Sequence, residues 1–386
     1  MAQRVEKTDP RGEIVGPFLR LGLTAFGGPA AHLVLMQGEF VERRKWITRE
    51  QFLDLVGACN LLPGPGSTQV AMALGYTRAG WMGLFIAGVC FILPASLATL
   101  ALAWVYVHFG SLPQVQSVLY GAKPVMIAVV VQAVWNLGRT AFRRWPFALA
   151  GVACFAAVLA GAPPIVILLV SGGISLLAAW PRGRPKHLLG LAAWPGLSSL
   201  GNVPAAGGAV LTAGLLPVFF VFLKLGVVVF GSGYVLLTYL NADLVDHLHW
   251  ITEPQLLDAV TAGQITPGPV FATATFIGYL LHGWQGAVVA PVGVFLPSFF
   301  LAGAVGALAG RIRKSPLAAA FLDGVNAAAV ALMASVAIVL GRATLVDSWT
   351  WSLALVCIAL LIRFRVNSTW LIFGGACAGL LIRLLA

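Results

Sequence analysis

The sequence predicts an all-α polytopic membrane protein built from two homologous inverted repeats. Three observations support this prediction: the composition, an internal repeat and the distribution of Lys and Arg. The chain has 386 residues, of which 59% are hydrophobic and 10% charged, and its mean hydropathy is +0.92. A soluble domain carries about 25% charged residues. So much apolar surface requires lipid, which excludes a soluble enzyme, a nucleic-acid-binding protein and a disordered scaffold.

The chain is strongly basic, with 24 Lys and Arg, 13 Asp and Glu and a formal net charge of +11. In a membrane protein, most of this excess is expected in cytoplasmic loops. Cations that remain inside the bilayer would favour an anionic substrate. The 5 cysteines lie in apolar segments without CxxC spacing, so the sequence predicts no metal site, and no cofactor is expected.

The second half of the chain repeats the first in register. Three pairs of segments match: Phe18–Gly22 with Phe222–Gly226, Trp46–Thr48 with Trp250–Thr252, and Pro63–Pro65 with Pro267–Pro269. A shared apolar composition cannot align Trp and Pro in this way, so the halves are homologous. We predict an N-terminal membrane repeat (1–186), a Gly/Pro-rich linker (187–215) and a C-terminal membrane repeat (216–386).

Each repeat contains the same predicted elements in the same order. They are a broken first helix (14–37; 214–240), a polar stretch (39–50; 243–254), two short helices around Pro-Gly-Pro (50–79; 254–282), two spanning helices (81–107 and 116–140; 284–309 and 318–341) and a closing hairpin (146–161 with 164–180; 349–362 with 368–385). A spanning helix needs about 20 residues. The short pair therefore predicts a re-entrant hairpin or a broken helix, beside about five spanning helices per repeat.

Five crossings per repeat would insert the two repeats with opposite orientation. Equivalent loops do carry opposite charge: 39–50 has four Lys and Arg whereas 243–254 has none, and 108–115 has none whereas its equivalent has Arg311, Arg313 and Lys314. The richer loops fall on one common face, which the positive-inside rule assigns to the cytoplasm. Arg4, Lys7 and Arg11 lie on the opposite side of this scheme, so the location of the N-terminus stays open.

Pro-Gly-Pro interrupts the backbone hydrogen bonds of a helix, because Pro donates no N–H. The helix that begins after the break presents free N–H groups and a positive dipole end, which suit an oxyanion. The candidate residues of the first break are Asn60, Pro63, Gly64, Pro65, Gly66, Ser67 and Thr68, and those of the second are Gln264 and Gly268. Val270 follows the second break, which is more apolar, so we expect the first site to bind better. The alternative is a kink that serves helix packing alone.

A second duplicated break lies in the first helix of each repeat. Gly27 and Gly28 precede Pro29, and Gly231-Ser232-Gly233 is the counterpart. These glycines would let a ligand or the re-entrant tip approach the backbone, or let helices pack closely.

Three cations lie within apolar helices and are candidates for the anion path: Arg20, its equivalent Lys224, and Lys123. A charged residue in a spanning helix marks function by default. The alternative for each is a side chain that reaches the headgroups. Lys123 lies deepest, and Asp54 would neutralise it if the hairpin folds against this helix.

Carboxylates at equivalent positions are candidates for proton coupling. They are Asp54 and Asp258, on the first short helix of each hairpin, and Glu39. A buried carboxylate can carry protons across a membrane. The alternative is a helix cap or an ion pair at the membrane edge.

Together these motifs resemble the chromate ion transporter (CHR) family. The residues that carry the resemblance are Phe-x-Arg-Leu-Gly-x-x-x-Phe-Gly-Gly-Pro at 18–29, Val41 with Trp46, Leu-Leu-Pro-Gly-Pro-Gly-Ser-Thr at 61–68, Gly-x-x-x-x-Gly-Trp at 75–81 and Leu-Pro at 93–94. The resemblance covers the whole chain, as the long two-repeat form. It implies proton-coupled efflux of chromate across the bacterial inner membrane, which confers chromate resistance.

The residues alone indicate an anion carrier with inverted repeats, and chromate comes from the resemblance. Sulfate or another tetrahedral oxyanion is the alternative within transport. An intramembrane enzyme or lipid-handling protein is the alternative of another class, although His-Glu-x-x-His, Walker and Gly-x-Ser-x-Gly motifs are absent from the sequence. Oligomeric state, including a homodimer, and the direction of transport stay open.

Overall fold

The computed structural model describes residues 12–142, 145–179, 213–230, 233, 235–312, 316–364 and 366–385. Several predicted features lie outside the described residues. They are the N-terminal cations Arg4, Lys7 and Arg11, most of the linker, the glycine break at Gly231 and Ser232, and the loop cations Arg143, Arg144, Arg182, Arg184, Lys186, Arg313, Lys314 and Arg365.

The described residues form helices and no β-strand, as predicted. The first repeat contains α1 (Gly12–Thr24), α2 (Gly28–Met36), a π-helical turn (Gln37–Arg43), α3 (Arg49–Cys59), α4 (Gly66–Phe109), α5 (Pro113–Ala141), α6 (Trp145–Leu159) and α7 (Pro164–Ala179). The second contains α8 (Leu215–Val228), α9 (Val235–Leu240), a π-helical turn (Asn241–His247), α10 (Glu253–Ile265), a 3₁₀ turn (Val270–Ala272), α11 (Thr273–Ile312), α12 (Pro316–Thr344), α13 (Ser348–Arg363) and α14 (Ser368–Leu385).

The repeated sequence produces the same local structure twice. Trp-Ile-Thr ends in a threonine that caps the next helix in a capping box, formed by Thr48 with Gln51 at α3 and by Thr252 with Gln255 at α10. α4 bends at Gly80, where φ is 59°, and α11 bends at Gly283, where φ is 53°. Each bend separates a short helix that follows Pro-Gly-Pro from a spanning helix, as the sequence predicts.

Two helices of each repeat are long and apolar enough to cross a membrane. These four segments are Gly66–Phe109, Pro113–Ala141, Val270–Val305 and Ala320–Thr344. The other apolar helices are shorter than the about 20 residues of a full crossing. The first helix of each repeat is divided in two, α1 with α2 and α8 with α9. Crossings by the shorter helices therefore stay a prediction.

Equivalent helices of the two repeats run antiparallel to each other. The ring of Phe85 on α4 lies 5.6 Å from that of Phe299 on α11. Trp81, one turn earlier on α4, lies against Gly303, one turn later on α11. Because α4 and α11 occupy the same place in their repeats, this packing is the arrangement expected of an inverted repeat.

The closing hairpin of each repeat packs on the other repeat. α14 crosses α5 where Gly121 meets the backbone of Gly375 and Gly379, and α7 crosses α12 where Gly324 meets Ser171. The Ser171 hydroxyl donates to the Gly324 carbonyl at 2.8 Å. Small residues permit this close approach of helices in lipid. The repeats therefore interlock and share one buried apolar core.

Candidate anion-binding site

Each Pro-Gly-Pro loop is hydrogen-bonded to the broken first helix of the other repeat. The Gly64 N–H donates to the Val229 carbonyl at 2.6 Å, and the Gly268 N–H donates to the Ala25 carbonyl at 2.9 Å. Val229 follows α8 and Ala25 follows α1, where carbonyl groups lack partners within their own helix. Each loop thus supplies a donor to the interrupted first helix of the other repeat, where an unpaired carbonyl would be unfavourable inside a membrane.

The central glycines of both loops adopt the left-handed backbone conformation. φ is +106° at Gly64 and +95° at Gly268. A Cβ at Gly64 would lie 2.9 Å from Oγ of Ser298, and one at Gly268 would lie 2.8 Å from Cβ of Ala95. Both positions therefore require glycine for backbone reasons, and to the same degree in the two repeats.

The predicted break in the first helix is confirmed at Gly27 and Gly28. Their φ angles are +100° and +79°, and α2 begins at Gly28 with Pro29 in its first turn. Pro29 contributes to the wall of a small chamber between the repeats. The glycines thus place the α1–α2 break beside the two Pro-Gly-Pro loops.

The chamber lies where the breaks of both repeats meet. It is lined by residues of the first repeat, namely Pro29, Leu33, Asn60, Pro65, Gly66, Ser67 and Val70, and of the second, namely Gly233, Pro269, Val270 and Phe271. Its polar groups come from the first repeat. Among the residues that line it, none carries a charge, so an anion there would be held by hydrogen bonds and by the helix dipole.

The N-terminus of α4 opens into this chamber. The Thr68 and Gln69 amides return to the Pro65 carbonyl at 2.9 and 3.0 Å. The Gly66 and Ser67 amides precede them and point beyond the helix, as in every helix N-terminus. Gly66 leaves space, since a Cβ there would meet Asn60 Oδ1 at 3.6 Å. These donors suit an oxyanion.

A buried polar layer supports the chamber. His32 is 1% exposed, and its Nδ1 lies 3.1 Å from the Ser67 hydroxyl. Gln69 is also fully buried, and its side-chain amide donates to the Pro63 carbonyl and contacts Ser298 of the other repeat. Thr68 is fully buried as well. The helix start is therefore held by side chains behind it.

The equivalent start in the second repeat is more apolar, as the sequence predicts. Val270 and Phe271 occupy the places of Gly66 and Ser67, and the chain makes a 3₁₀ turn before α11 begins. Gln264 is buried at the end of α10. The hydroxyl of Thr266 lies 3.1 Å from that of Thr99, and Thr266 does not line the chamber. Unequal binding by the two breaks stays a prediction.

A second cavity of about 420 Å³ surrounds a buried ion pair. Lys123 on α5 lies 2.9 Å from the carboxylate of Asp258 on α10, whose other oxygen accepts from the Tyr106 hydroxyl at 3.0 Å. Asp258 is 4% exposed and Lys123 22%. The sequence pointed to Asp54 as the partner of Lys123, whereas the structure brings Asp258 of the other repeat to it. Both Lys123 and Asp258 line the cavity.

The remaining predicted charges lie away from both cavities. Lys224 forms a 2.9 Å ion pair with Asp243, and Arg20 is exposed on α1. Glu39 pairs with Arg43 and Arg44. Burial alone would raise the pKa of Glu39, but the hydrogen bonds and charges of these two arginines outweigh it and lower the pKa. Asp54 is half-buried on α3.

Sequence reasoning missed His32 and Tyr106. A signal for His32 does exist in the repeat, because its equivalent is Leu236 and the equivalent of Ser67 is Phe271. Polar residues in one copy and apolar residues in the other mark positions where packing does not demand polarity. For Tyr106, which meets Asp258 across the two repeats, the sequence held no such signal.

Comparison with known proteins identifies relatives along the whole chain. The Chromate transporter family matches it twice, at residues 12–176 and 216–380. The chromate transport protein of Cupriavidus metallidurans is 34% identical over 387 residues, which covers 94% of this chain and 91% of that protein. A probable chromate transport protein of Synechococcus elongatus is 32% identical, covering 88% of this chain and 86% of its own length.

The chromate transport protein of Pseudomonas aeruginosa is 31% identical over 86% of this chain and 81% of its own length. No solved structure matches the chain. Two matches to one family, one in each repeat, agree with the duplicated breaks and the antiparallel packing described above. The chain is therefore a member of the chromate transporter family, in its two-repeat form.

Proposed function

We propose that this protein is a secondary transporter that exports chromate across the bacterial inner membrane, coupled to protons, and so confers chromate resistance. The observation that carries the proposal is the start of α4, where Gly66 and Ser67 line the chamber between the repeats. The names of the relatives supply the substrate.

The chamber would hold the oxyanion without a cation. Chromate is tetrahedral and divalent, and the amides of Gly66 and Ser67, the Ser67 hydroxyl and the Asn60 amide can each donate to one of its oxygens. Neutral donors bind an anion less tightly than arginine would, and a carrier must release its substrate on the other side. Gln264 and Gly268 belong to the second break, whose Pro269, Val270 and Phe271 line the chamber from the side of the second repeat.

Lys123 and Asp258 act in the second cavity, on the path of the anion through the protein, and not in the chamber where it binds. A divalent oxyanion that enters the 420 Å³ cavity meets the ammonium group of Lys123, while Asp258 takes a proton when its partner is drawn away. This role makes Asp258 the leading proton-coupling carboxylate, ahead of Asp54 and Glu39. Arg20 and Lys224 would attract the anion near the membrane surface.

The test is flux of radiolabelled chromate into everted vesicles that contain the parent protein, with and without a proton gradient. Vesicles without the protein, and vesicles with the double variant Lys123→Met/Asp258→Asn, are the controls. We expect uptake by the parent protein alone, reduced by an uncoupler. Uptake that ignores the gradient would remove proton coupling from the proposal.

Sulfate is the second candidate, because the same donors fit any tetrahedral divalent oxyanion. Excess sulfate in the same assay separates the two: weak competition supports chromate, and sulfate uptake that exceeds chromate uptake makes sulfate the substrate. A protein that carries neither anion, but hydrolyses or transfers a lipid group, would contradict transport itself.

A further inference from the structure

The imidazole of His32 contacts both Ser67, in the chamber wall, and the Ala25 carbonyl, which is bonded to the Pro-Gly-Pro loop of the second repeat. Its Nδ1 lies 3.1 Å from the Ser67 hydroxyl and its Nε2 lies 3.2 Å from the Ala25 carbonyl. The edge of the ring meets Phe91, with ring centroids 5.4 Å apart. The Ala25 carbonyl also accepts from the Gly268 amide at 2.9 Å. One histidine therefore contacts both the anion-binding helix start and the acceptor of the other repeat's loop.

The two contacts fix the position of the hydrogens. A carbonyl oxygen accepts only, so Nε2 of His32 carries its proton and donates to Ala25. In the neutral ring Nδ1 is then an acceptor, and the Ser67 hydroxyl donates to it. Ser67 turns its hydrogen away from the chamber and presents lone pairs there. This state of the pair repels an oxyanion.

Protonation of Nδ1 reverses this hydrogen bond. The imidazolium has two donors, so Nδ1–H donates to Ser67 Oγ while Nε2–H still donates to Ala25. The hydroxyl hydrogen of Ser67 is released from the ring and rotates into the chamber, where it can donate to an oxyanion. The positive charge directly behind Ser67 strengthens that bond.

The second repeat shows that packing does not need this polar pair. Leu236 stands in the place of His32 and Phe271 in that of Ser67, both 1–2% exposed. The first helix is divided here too, into α8 and α9, and Gly64 is bonded to Val229. A buried polar pair loses its hydrogen bonds to water, a cost that an apolar pair does not carry. The polar copy is the one that opens into the chamber.

The contacts of the ring itself do not titrate. The ionisable side chains on the elements packed against α2 are Glu13 and Arg20 on α1, Glu39, Glu42 and Arg43 on the π-helical turn, and Tyr76, Arg78, Cys90, Tyr106 and His108 on α4. Glu13 pairs with Arg78, and Glu39 pairs with Arg43. His32 is thus the titratable group that touches Ser67.

We infer that His32 is a positioning residue that couples proton binding to oxyanion binding, by turning the Ser67 hydroxyl toward the chamber when it is protonated. The inference rests on the proposed oxyanion site and adds to it a second proton-binding group, distinct from Asp258, which lines the other cavity. By linkage, the anion must raise the proton affinity of His32 as much as the proton raises the affinity for the anion.

The test is proton uptake on chromate binding, measured by calorimetry of the purified protein in buffers of different ionisation enthalpy. His32→Leu introduces the residue that the second repeat has at this position, Leu236. We expect it to bind chromate about tenfold more weakly than the parent with a protonated His32 does, as the loss of one charge-assisted hydrogen bond predicts, and to take up fewer protons than the parent. Protonation of chromate itself contributes equally to the measured proton uptake of both proteins, so it cancels in the difference between them.

Two further variants separate coupling from packing. Ser67→Ala should lose the same proton uptake, and His32→Leu/Ser67→Ala should lose little more affinity than either single variant, because the pair acts as one unit. Ser67→Thr keeps the hydroxyl and should retain coupling. Unchanged proton uptake in His32→Leu overturns the inference.

The tautomer gives a second readout that needs no anion. In ¹⁵N spectra of histidine-labelled protein, the His32 signal, assigned by its loss in His32→Leu, should report a proton on Nε2 in the neutral ring. A proton on Nδ1 instead would overturn the inference. A parent protein of the expected tautomer that binds neither chromate nor sulfate overturns the proposed function, and with it the coupling.

Discussion

Lys123 of the first repeat forms a 2.9 Å ion pair with Asp258 of the second. Asp258 is almost fully buried, and Tyr106 of the first repeat donates to its other oxygen. A buried carboxylate is tolerated only when it is paired and hydrogen-bonded. The pair is therefore a polar connection between the repeats, and it lies on the wall of a cavity.

Removal of one member of this pair should destabilise the protein more than removal of both. Lys123→Met leaves a buried, uncompensated carboxylate, which costs about 3–5 kcal/mol in folding free energy. Lys123→Met/Asp258→Asn removes both charges and should recover most of the melting temperature, while chromate flux stays low. Lys123→Arg keeps the charge and should retain part of the flux. Thermal melting in detergent and vesicle flux measure the two effects.

The control is the ion pair of Glu13 and Arg78, which is 31–40% exposed. Exposed pairs contribute about 0–1 kcal/mol, so Glu13→Gln should leave melting and flux close to those of the parent protein. If Lys123→Met also behaves like the parent in both measurements, the lysine stabilises nothing and lies outside the anion path.

Asp347 should make stability depend on acid pH. It accepts from the Tyr120 hydroxyl of the first repeat and from the Thr350 amide at the start of α13. These hydrogen bonds lower the pKa of Asp347 below its usual value. A depressed pKa contributes stability above the unfolded value of about 3.9, and this contribution is lost as pH falls through the folded pKa.

Asp347→Asn keeps a helix cap but loses the charge. We expect the variant to melt below the parent protein at pH 7 and the difference to close as pH falls below about 4. Tyr120→Phe should narrow the same difference. A gap between parent and Asp347→Asn of equal size at pH 3 and pH 7 would show that the charge is irrelevant.

The two repeats should have opposite orientation in the membrane. The tip after α6, at Gly161, and the tip after α13, at Val366, are equivalent, and only the second is flanked by arginine among the residues described near them, at Arg363. Reporter fusions truncated after Gly161 and after Val366 should place the first tip in the periplasm and the second in the cytoplasm. Two reporters on one side would rule out the inverted repeat.

Much of this fold could be predicted because its signals are local and occur twice. Pro-Gly-Pro breaks a helix wherever it lies, Trp-Ile-Thr caps the next helix, and Gly27-Gly28 interrupts the first one. The contacts between repeats could not be predicted in the same way. The partner of Lys123 was expected on the nearby hairpin of its own repeat, at Asp54, whereas the fold packs α10 of the other repeat against α5.

The same distinction, between local sequence signals and contacts made far along the chain, applies to the candidate site. Gly66 and Ser67 were predicted, because a helix start after Pro-Gly-Pro presents its amides whatever surrounds it. His32 was missed, because its importance comes from a turn of α2 that packs against Ser67 far along the chain. The φ of +106° at Gly64 and its crowded Cβ position give this glycine a structural role in the loop, as they do for Gly268. Contact of either glycine with the anion stays a prediction.

Gly66 and Gly64 should therefore respond differently to the same substitution. Gly66→Ala adds a methyl group beside Asn60, at an ordinary distance of 3.6 Å, where it narrows the chamber without straining the backbone. We expect normal expression and melting, but weaker chromate binding and lower flux. Gly64→Ala and Gly268→Ala meet a left-handed φ and contacts of 2.8–2.9 Å, so both should lower the melting temperature.

The comparison separates a binding role from a structural one within a single loop. Val270, the equivalent of Gly66, already has a large side chain in the chamber wall, so Val270→Ala widens the chamber from the side of the second repeat and leaves the residues at the start of α4 unchanged. Under a single site at α4, Val270→Ala keeps chromate affinity while Gly66→Ala loses it. If Gly66→Ala binds chromate as the parent does, the oxyanion does not sit at the start of α4, and the cavity around Lys123 becomes the place where it binds.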